Sequence, residues 1–187
     1  MIPGGAGGQA PILTVTLNPA LDLSTSAAEV VPDLKLRCAA PVIDPGGGGI
    51  NVSRAVARMG GRSTALVALG GGTGQRLCAL LQEAGLPVLR LDAPGETRQS
   101  LSVIDRSDGA QFRFVLPGPE WRPSDVRGAL DAVVGAAPQG GILVISGSNP
   151  PGVPPDFAVA LARRLAGRDT RMFVDTSGAA LAAVAGA

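Results

Sequence analysis

Residues 44–61 read Asp-Pro-Gly-Gly-Gly-Gly-Ile-Asn-Val-Ser-Arg-Ala-Val-Ala-Arg-Met-Gly-Gly, and this stretch decides the fold class. A glycine run from Gly46 to Gly49 separates a strand-like segment from a segment with helical periodicity. The apolar positions of the second segment recur at i, i+3, i+4 and i+7, and they are Val52, Ala55, Val56 and Met59. This spacing predicts an amphipathic helix with that stripe against the core. Gly60-Gly61 is a typical helix end.

The same alternation of strand and helix extends outward from this stretch. Ile12 to Leu17 and Thr64 to Leu69 are short apolar runs rich in β-branched residues or bounded by glycine and proline, which is typical of buried strands. Further strands are predicted over 141–145 and 171–174, and further helices between Gly72 and Gly85, after Pro123, over 155–166 and from Ala179. Strands that alternate with helices predict an α/β fold with a doubly wound, mainly parallel sheet.

One region interrupts the alternation. Thr97 to Asp105 and Gln111 to Leu116 both have strand character, and the Asp108-Gly109 pair between them indicates a hairpin. The mixed segment from Lys35 to Ile43 is predicted to be another strand. We expect these strands to form a small β-sheet lid, from segments at about 22–45 and 95–118, over a core within 12–187. The Gly-rich residues 1–11 are expected to be a flexible tail.

Composition excludes several classes of protein. The chain has 187 residues and no His, so His-containing triads and most zinc sites are unavailable, and proton transfer must use carboxylates. The net charge of +1 argues against nucleic acid as a partner. No apolar run approaches the roughly 18–20 residues of a membrane helix, so no membrane partner is expected. Two unpatterned cysteines, Cys38 and Cys78, indicate neither a disulfide framework nor a metal site, and a cytoplasmic protein is the simplest interpretation.

The glycine run is a candidate ligand cradle, because glycines let a ligand approach backbone N–H groups at the positive end of a helix. The alternative is a tight turn without a ligand. The dinucleotide-binding fingerprint G-x-G-x-x-G does not fit, because its last glycine would fall on Asn51 or Val52. A Walker motif does not fit either, because no Lys follows any glycine run. Asn51 can cap the helix or bind a ligand through its amide.

Further candidates lie where strands end. Asp22 and Ser148 follow predicted strands at the carboxyl edge, where open α/β sheets bind ligands, although an Asp in a loop is also a common turn or cap residue. Asp175 lies at a similar strand end, where it either lines the same cleft or caps the last helix, and we favour capping. Four cations on the predicted lid strands suit a phosphate group or form a solvated strand face, and they are Lys35, Arg37, Arg98 and Arg113.

Several of these motifs occur in one order in a known family. They are residues 14–22, 35–37, 45–51, 97–101, 111–114 and 146–152. In order and spacing they resemble the ribokinase-like (PfkB) carbohydrate kinases, most closely the phosphosugar branch with minor 6-phosphofructokinase, 1-phosphofructokinase and tagatose-6-phosphate kinase. The resemblance covers nearly everything after residue 11.

The resemblance implies a doubly wound core with a β-sheet lid, ATP and magnesium as cofactors, a phosphosugar substrate and a homodimer formed through the lids. It implies sugar-binding roles for Asp22, Gly47, Gly48, Gly49 and Asn51. Arg98 and Ser148 would hold sugar or its phosphate, Arg113 would support them, and Lys35 and Arg37 would reach a neighbouring subunit's site. Arg suits this task because its guanidinium binds phosphate in a bidentate fork.

Two later motifs of the family are absent from the 187 residues. They are Asn-x-x-Glu, associated with magnesium, and Gly-Ala-Gly-Asp, which supplies the anion hole and the catalytic Asp. We therefore expect the chain to be truncated, with no catalytic residue and most of the ATP site beyond Ala187, and to be inactive alone. The favoured acceptor is fructose 6-phosphate, with fructose 1-phosphate or tagatose 6-phosphate as alternatives. A non-catalytic sugar-phosphate-binding or oligomerising protein is the alternative from another class.

Overall fold

The strand Ile12–Thr16 lies in the middle of the larger of two sheets in a computed structural model that describes residues 8–187. The strands in chain order are β1 (Ile12–Thr16), β2 (Ala20–Ala27), β3 (Val42–Gly46), β4 (Thr64–Leu69), β5 (Val88–Asp92), β6 (Arg98–Asp105), β7 (Gln111–Val115), β8 (Gly141–Ser146) and β9 (Thr170–Asp175). The helices are α1 (Gly48–Arg58), α2 (Gly71–Glu83), α3 (Pro123–Ala136), α4 (Phe157–Arg164) and α5 (Gly178–Ala185).

The larger sheet is parallel throughout, in the order β5-β4-β1-β8-β9. Residues of β4 alternate between its two faces, as the period of a strand requires. Leu66 and Ala68 pack in a cluster with α3 and α4, whereas Ala65 and Val67 pack in a second cluster with Ile50 and α2. Helices therefore cover both faces, and the predicted doubly wound α/β fold is confirmed.

The smaller sheet has the order β3-β2-β6-β7. β2 and β6 run parallel, while β2–β3 and β6–β7 are antiparallel. The turn between β6 and β7 contains Gly109 at φ 80, a conformation that favours glycine. The hairpin predicted from Asp108-Gly109 is confirmed.

The strand predicted over Lys35 to Ile43 is wrong for most of its length, because regular structure begins only at Val42. A turn precedes this segment, with Asp33 at a positive φ of 61. The backbone then has few bonds to the sheet: Thr25 Oγ1 donates to Ala39 O at 2.7 Å and Ala39 N to Ser26 O at 2.9 Å. Lys35 and Arg37 therefore do not lie on a strand, and the prediction that they share one strand face is wrong.

The buried face of α1 also differs from the prediction. Gly49, Ile50 and Ser53 are its buried residues, whereas Met59 is 79% exposed. Ser53 is buried because two hydroxyls satisfy it: its Oγ lies 2.8 Å from Thr14 Oγ1 and accepts from Ser63 Oγ at 3.0 Å. This chain of hydroxyls fixes α1 on the larger sheet.

The expected tail lies partly outside the described residues, which begin at Gly8. Gln9 is hydrogen-bonded to the backbone of Arg62 through both ends of its amide. Its Nε2 donates to Arg62 O at 2.6 Å, and its Oε1 accepts from Arg62 N at 2.7 Å. In residues 8–187 no helix combines the length and the apolar character needed to cross a membrane.

Candidate functional site

The glycine loop between β3 and α1 is pressed against the end of β1. Gly47 has a φ of 142, which favours glycine. A Cβ on Gly49 would lie 2.6 Å from Thr16 Oγ1 and 2.7 Å from Val15 O, so only glycine fits there. Ile50 N donates to Thr16 Oγ1 at 3.1 Å and holds the first turn of α1. Packing therefore places the loop at the carboxyl edge of the larger sheet.

The end of β8 lies on the other side of this loop. A Cβ on Gly48 would overlap Ser146 Oγ, so the two backbones approach closely. Ser146 Oγ donates to Asp175 Oδ2 at 2.7 Å, and Gly147 N donates to Asp175 O at 2.9 Å. The favoured capping role of Asp175 is therefore wrong, since α5 has no side-chain cap and the carboxylate accepts the Ser146 hydroxyl instead.

Asp22 lies within β2, paired with Ser100 of β6, so its predicted place in a loop after the first strand is wrong. It is half-buried beside the glycine loop, where a Cβ on Gly46 would overlap its carboxylate. Burial raises the pKa of Asp22, because desolvation disfavours the charged form. The nearby Arg98 and a hydrogen bond from Ser100 oppose this rise, and Arg113 opposes it more weakly. The carboxylate is thus a partly desolvated acceptor beside two cations, suited to receiving hydroxyl hydrogen bonds.

Arg98 begins β6 and points towards the junction of the two sheets. Its Nε and Nη2 donate to Asn18 O at 3.3 and 3.2 Å, and its Nη1 donates to Leu116 O at 3.4 Å. Burial lowers the pKa of Arg98 and the charge of Asp22 opposes that change, but a guanidinium stays charged in proteins. Three of its five N–H donors are used within residues 8–187, which leaves two for a ligand.

Ser148 lies in the loop after β8 and is exposed. Asn18, two residues beyond β1, donates from Nδ2 to Ser148 Oγ at 3.1 Å. Asn18 was not among the residues predicted for the site. Its position just past the first strand, at the edge that binds ligands in such folds, was the available signal.

Asp22, the glycine loop, Arg98 and Ser148 therefore converge at one edge, while the other predicted residues lie further out. Arg113 lines a cavity of about 310 Å³ with Asp22, and the polar residues around it are Ser24, Ser100, Ser102 and Gln111. Asn51 is exposed in the first turn of α1 and does not cap it. Lys35 and Arg37 are exposed between β2 and β3, and within residues 8–187 no hydrogen bond or ion pair joins them to the others.

Residues 8–187 contain no cluster of three or more His, Cys, Asp or Glu side chains able to hold a metal ion. Magnesium prefers an octahedral set of oxygen ligands, usually carboxylates with water and phosphate oxygens. Asp22 and its cross-strand neighbour Asp44 are two carboxylates beside two arginines, a set too small and too positively charged for such a site.

Known proteins share this architecture. Residues 16–186 match the pfkB family carbohydrate kinases. The ATP-dependent 6-phosphofructokinase isozyme 2 of Mycobacterium tuberculosis is 45% identical over 174 residues, 93% of this chain and 51% of that protein. The 1-phosphofructokinase of Xanthomonas campestris is 32% identical over 171 residues, 91% of this chain and 54% of that protein.

Phosphofructokinase-2 from Escherichia coli, in a crystal structure with fructose-6-phosphate, has a TM-score of 0.86 at 43% identity, over 94% of this chain and 57% of that chain. The chain thus spans about half the length of the relatives it matches. Because the match extends over nearly all of its residues, the chain belongs to the pfkB family of carbohydrate kinases.

Proposed function

We propose that this chain carries the phosphosugar-binding half of an ATP-dependent phosphosugar kinase, with fructose 6-phosphate as the acceptor. The observation that carries this proposal is the convergence of Asp22, the Gly47–Gly49 loop, Arg98 and Ser148 at one sheet edge. The Asp22 carboxylate can accept hydrogen bonds from sugar hydroxyls, and the free N–H donors of Arg98 can bind a phosphate. Together they match the sugar and the phosphate of a phosphosugar.

Each group has a distinct task in this proposal. The free N–H groups of Arg98 hold the phosphate in a bidentate fork. The Asp22 carboxylate accepts sugar hydroxyls, while the loop N–H groups, Asn51 and Ser148 fix the ring. Such positioning lowers the barrier because the acceptor hydroxyl is oriented before reaction. Bound MgATP would supply the phosphoryl group.

Transfer needs more than this chain offers. A phosphoryl-transfer site requires groups that stabilise charge on the moving phosphoryl and a base that orients the hydroxyl. The Gly-Ala-Gly-Asp and Asn-x-x-Glu motifs that serve these tasks in the family do not occur in the 187 residues. We therefore propose that the chain alone binds the acceptor but does not phosphorylate it at a useful rate.

The choice of acceptor rests on similarity. The relatives named 6-phosphofructokinase are 45% identical to this chain, against 32% for the 1-phosphofructokinase. Tagatose 6-phosphate differs from fructose 6-phosphate only in the configuration of one hydroxyl, so it is the stricter competitor.

Calorimetry with the 187-residue chain tests the proposal. Fructose 6-phosphate should bind saturably and more tightly than fructose 1-phosphate, tagatose 6-phosphate or inorganic phosphate. Arg98→Ala should weaken binding about 10- to 100-fold, since hydrogen bonds to charged groups contribute about 1.5–3 kcal/mol. Arg127→Ala, an exposed arginine on α3, is the matched control. A folded chain that binds none of these sugars would refute the proposal. If fructose 1-phosphate bound more tightly than fructose 6-phosphate, the proposed acceptor would be wrong.

We also propose that the smaller sheet, acting as a lid, joins two copies of the chain. Leu101, Phe112 and Phe114 lie on the face opposite Asp22 and remain 38%, 38% and 53% exposed. A contiguous apolar patch of this kind is typical of an interaction surface. In such a dimer, Lys35 and Arg37 would be available to the partner's phosphosugar.

A further inference from the structure

Asn18 lies where the two sheets meet and is bonded to both. Its backbone carbonyl accepts the Nε and Nη2 donors of Arg98, which begins β6 of the smaller sheet. Its side-chain amide donates to Ser148, which follows β8 of the larger sheet. Arg98 and Ser148 are both proposed ligand-binding groups, and they come from different sheets. One residue therefore contacts both sides of the candidate site.

The surroundings of Asn18 restrict its side chain. Its Oδ1 is buried and has no hydrogen-bond partner within residues 8–187. A Cβ on Gly118 would overlap this oxygen, so the chain at Gly118 closes one side of the amide. A buried polar atom without a partner is unfavourable and rare, so its presence here needs an explanation. The other end of the amide does have a partner, because Nδ2 donates to Ser148 Oγ at 3.1 Å.

Both partners of Asn18 need such a constraint. An arginine side chain has many rotamers, and fixing it before binding reduces the entropy lost when a ligand arrives. Ser148 is exposed and follows Gly147, whose φ of 115 is a conformation that favours glycine. Without the Asn18 amide, no side chain in the described residues holds the Ser148 hydroxyl.

We propose that Asn18 is a positioning residue, which sets the separation between the Arg98 guanidinium and the Ser148 hydroxyl and thereby selects a ligand that spans both. This inference rests on the proposed function, because it assumes that Arg98 and Ser148 bind one phosphosugar. Asn18 acts through Ser148 by its side chain and through Arg98 by its backbone.

Calorimetry with Asn18→Ala, Ser148→Ala and the double variant tests the role. Asn18→Ala should weaken fructose 6-phosphate binding about 5- to 20-fold, as expected for loss of one or two positioned hydrogen bonds. Inorganic phosphate, which needs only Arg98, should bind within twofold of the original chain because the backbone carbonyl is retained. The double variant should bind no more weakly than Ser148→Ala, since residues that act through one contact are not additive.

The possible outcomes distinguish a failure of the positioning role from a failure of the proposed function. If the original chain does not bind fructose 6-phosphate, both fail. If it binds and Asn18→Ala binds equally well, or if the two substitutions are additive, only the positioning role is overturned. Circular dichroism must show that each variant is folded. Should Asn18→Ala not fold, Gly118→Ala gives the same test, because its Cβ displaces the Asn18 amide while leaving residue 18 unchanged, and unaltered binding would again overturn the role.

Discussion

At the scale of single residues, the candidate site places a carboxylate in a half-buried position that disfavours its charge. Burial raises the pKa of Asp22 more than Arg98, Ser100 and Arg113 lower it. A group whose pKa is raised in the folded state stabilises the protein below its unfolded pKa of about 3.9, and this contribution is lost as the pH rises through the folded pKa. At neutral pH the ionised Asp22 therefore opposes folding.

Asp22→Asn should separate stability from binding. At pH 7 the variant is expected to melt at the same temperature as the original chain or higher, because the charge that opposes folding is gone. Fructose 6-phosphate should nevertheless bind about 10- to 100-fold more weakly, since a charged acceptor becomes neutral. Thermal melts and calorimetry check both, with Asp169→Asn, an exposed carboxylate, as the control. A clear loss of stability at pH 7 would contradict the direction of the pKa shift.

Asp105 shows the opposite dependence on pH. Its Oδ1 accepts from Ser107 Oγ at 2.6 Å and Ser107 N at 2.8 Å, and its Oδ2 accepts from Val30 N at 2.8 Å. These bonds, that from the Ser107 hydroxyl first, lower the pKa of Asp105. The stabilisation is present above the unfolded pKa of about 3.9 and is lost as the pH falls through the lower folded pKa.

Asp105→Asn should therefore destabilise the chain at pH 7. The substitution replaces one carboxylate oxygen with an NH₂ group, which cannot accept the hydrogen bonds that this oxygen receives. Urea midpoints measured at pH 7 and near pH 3 should show a deficit that shrinks in acid. Asp108→Asn is the matched control from the same turn, since the exposed Asp108 accepts a single hydrogen bond from the residues that the structure describes, donated by Ala110 N. An equal deficit at both pH values would argue against ionisation of Asp105 as the cause.

At the scale of elements, the packing of α1 against the larger sheet determines the geometry of the glycine loop. The helix is held to β1 through the Ile50 N to Thr16 Oγ1 bond and through the Thr14 and Ser53 hydroxyls. Gly49 allows the approach that makes these contacts possible, because it lies against Val15 O. Any side chain there must push α1 away from the sheet.

Gly49→Ala should cost about 1–3 kcal/mol of stability, the usual range for overpacking a well-packed interior. It should also weaken phosphosugar binding, since the loop moves with the helix. Gly128→Ala is the control: Gly128 lies inside α3 with open space around a Cβ, so that change should stabilise by up to about 1 kcal/mol. Urea titrations measure both, and a Gly49→Ala variant as stable as the original would show that α1 can shift freely.

At the scale of the whole molecule, the smaller sheet has two unlike faces. Asp22, Ser100, Ser102 and Arg113 lie on the face of the candidate site, whereas Leu101, Phe112 and Phe114 lie on the opposite face. This division follows from the period of two along β6 and β7. The first face also carries the apolar Ile104 and Val115, but its carboxylate, hydroxyls and guanidinium suit a phosphosugar. The opposite, apolar face suits a second copy of the chain.

Phe114→Asp should convert a dimer into a monomer in sedimentation measurements, because a charge in the centre of an apolar interface must be desolvated without a partner. Met59→Asp is the control, since Met59 is more exposed but directly follows α1 and belongs to neither sheet. The chain with Met59→Asp should remain a dimer. A monomeric original chain, or a Phe114→Asp dimer, would contradict association through this face.

The sequence by itself determined the elements whose signals are local. Apolar runs predicted four of the five strands of the larger sheet and missed the edge strand β5, Asp108-Gly109 predicted the hairpin, and the glycine run predicted the loop before α1. These features follow from backbone preferences and periodicity within a few residues. The motif order was also sufficient to recognise the family, since motifs are read along the chain.

Only the tertiary structure decided the contacts between distant residues. Thr14 and Ser53 are 39 positions apart, and Asn18 and Ser148 are 130 apart, so no local pattern encodes either hydrogen bond. The first bond turns α1 to bury Ser53 instead of Met59, and the second brings Asn18 into the candidate site. A hydroxyl or amide becomes a buried or positioning group only when folding supplies its partner, because an unpaired polar group would be too costly to bury.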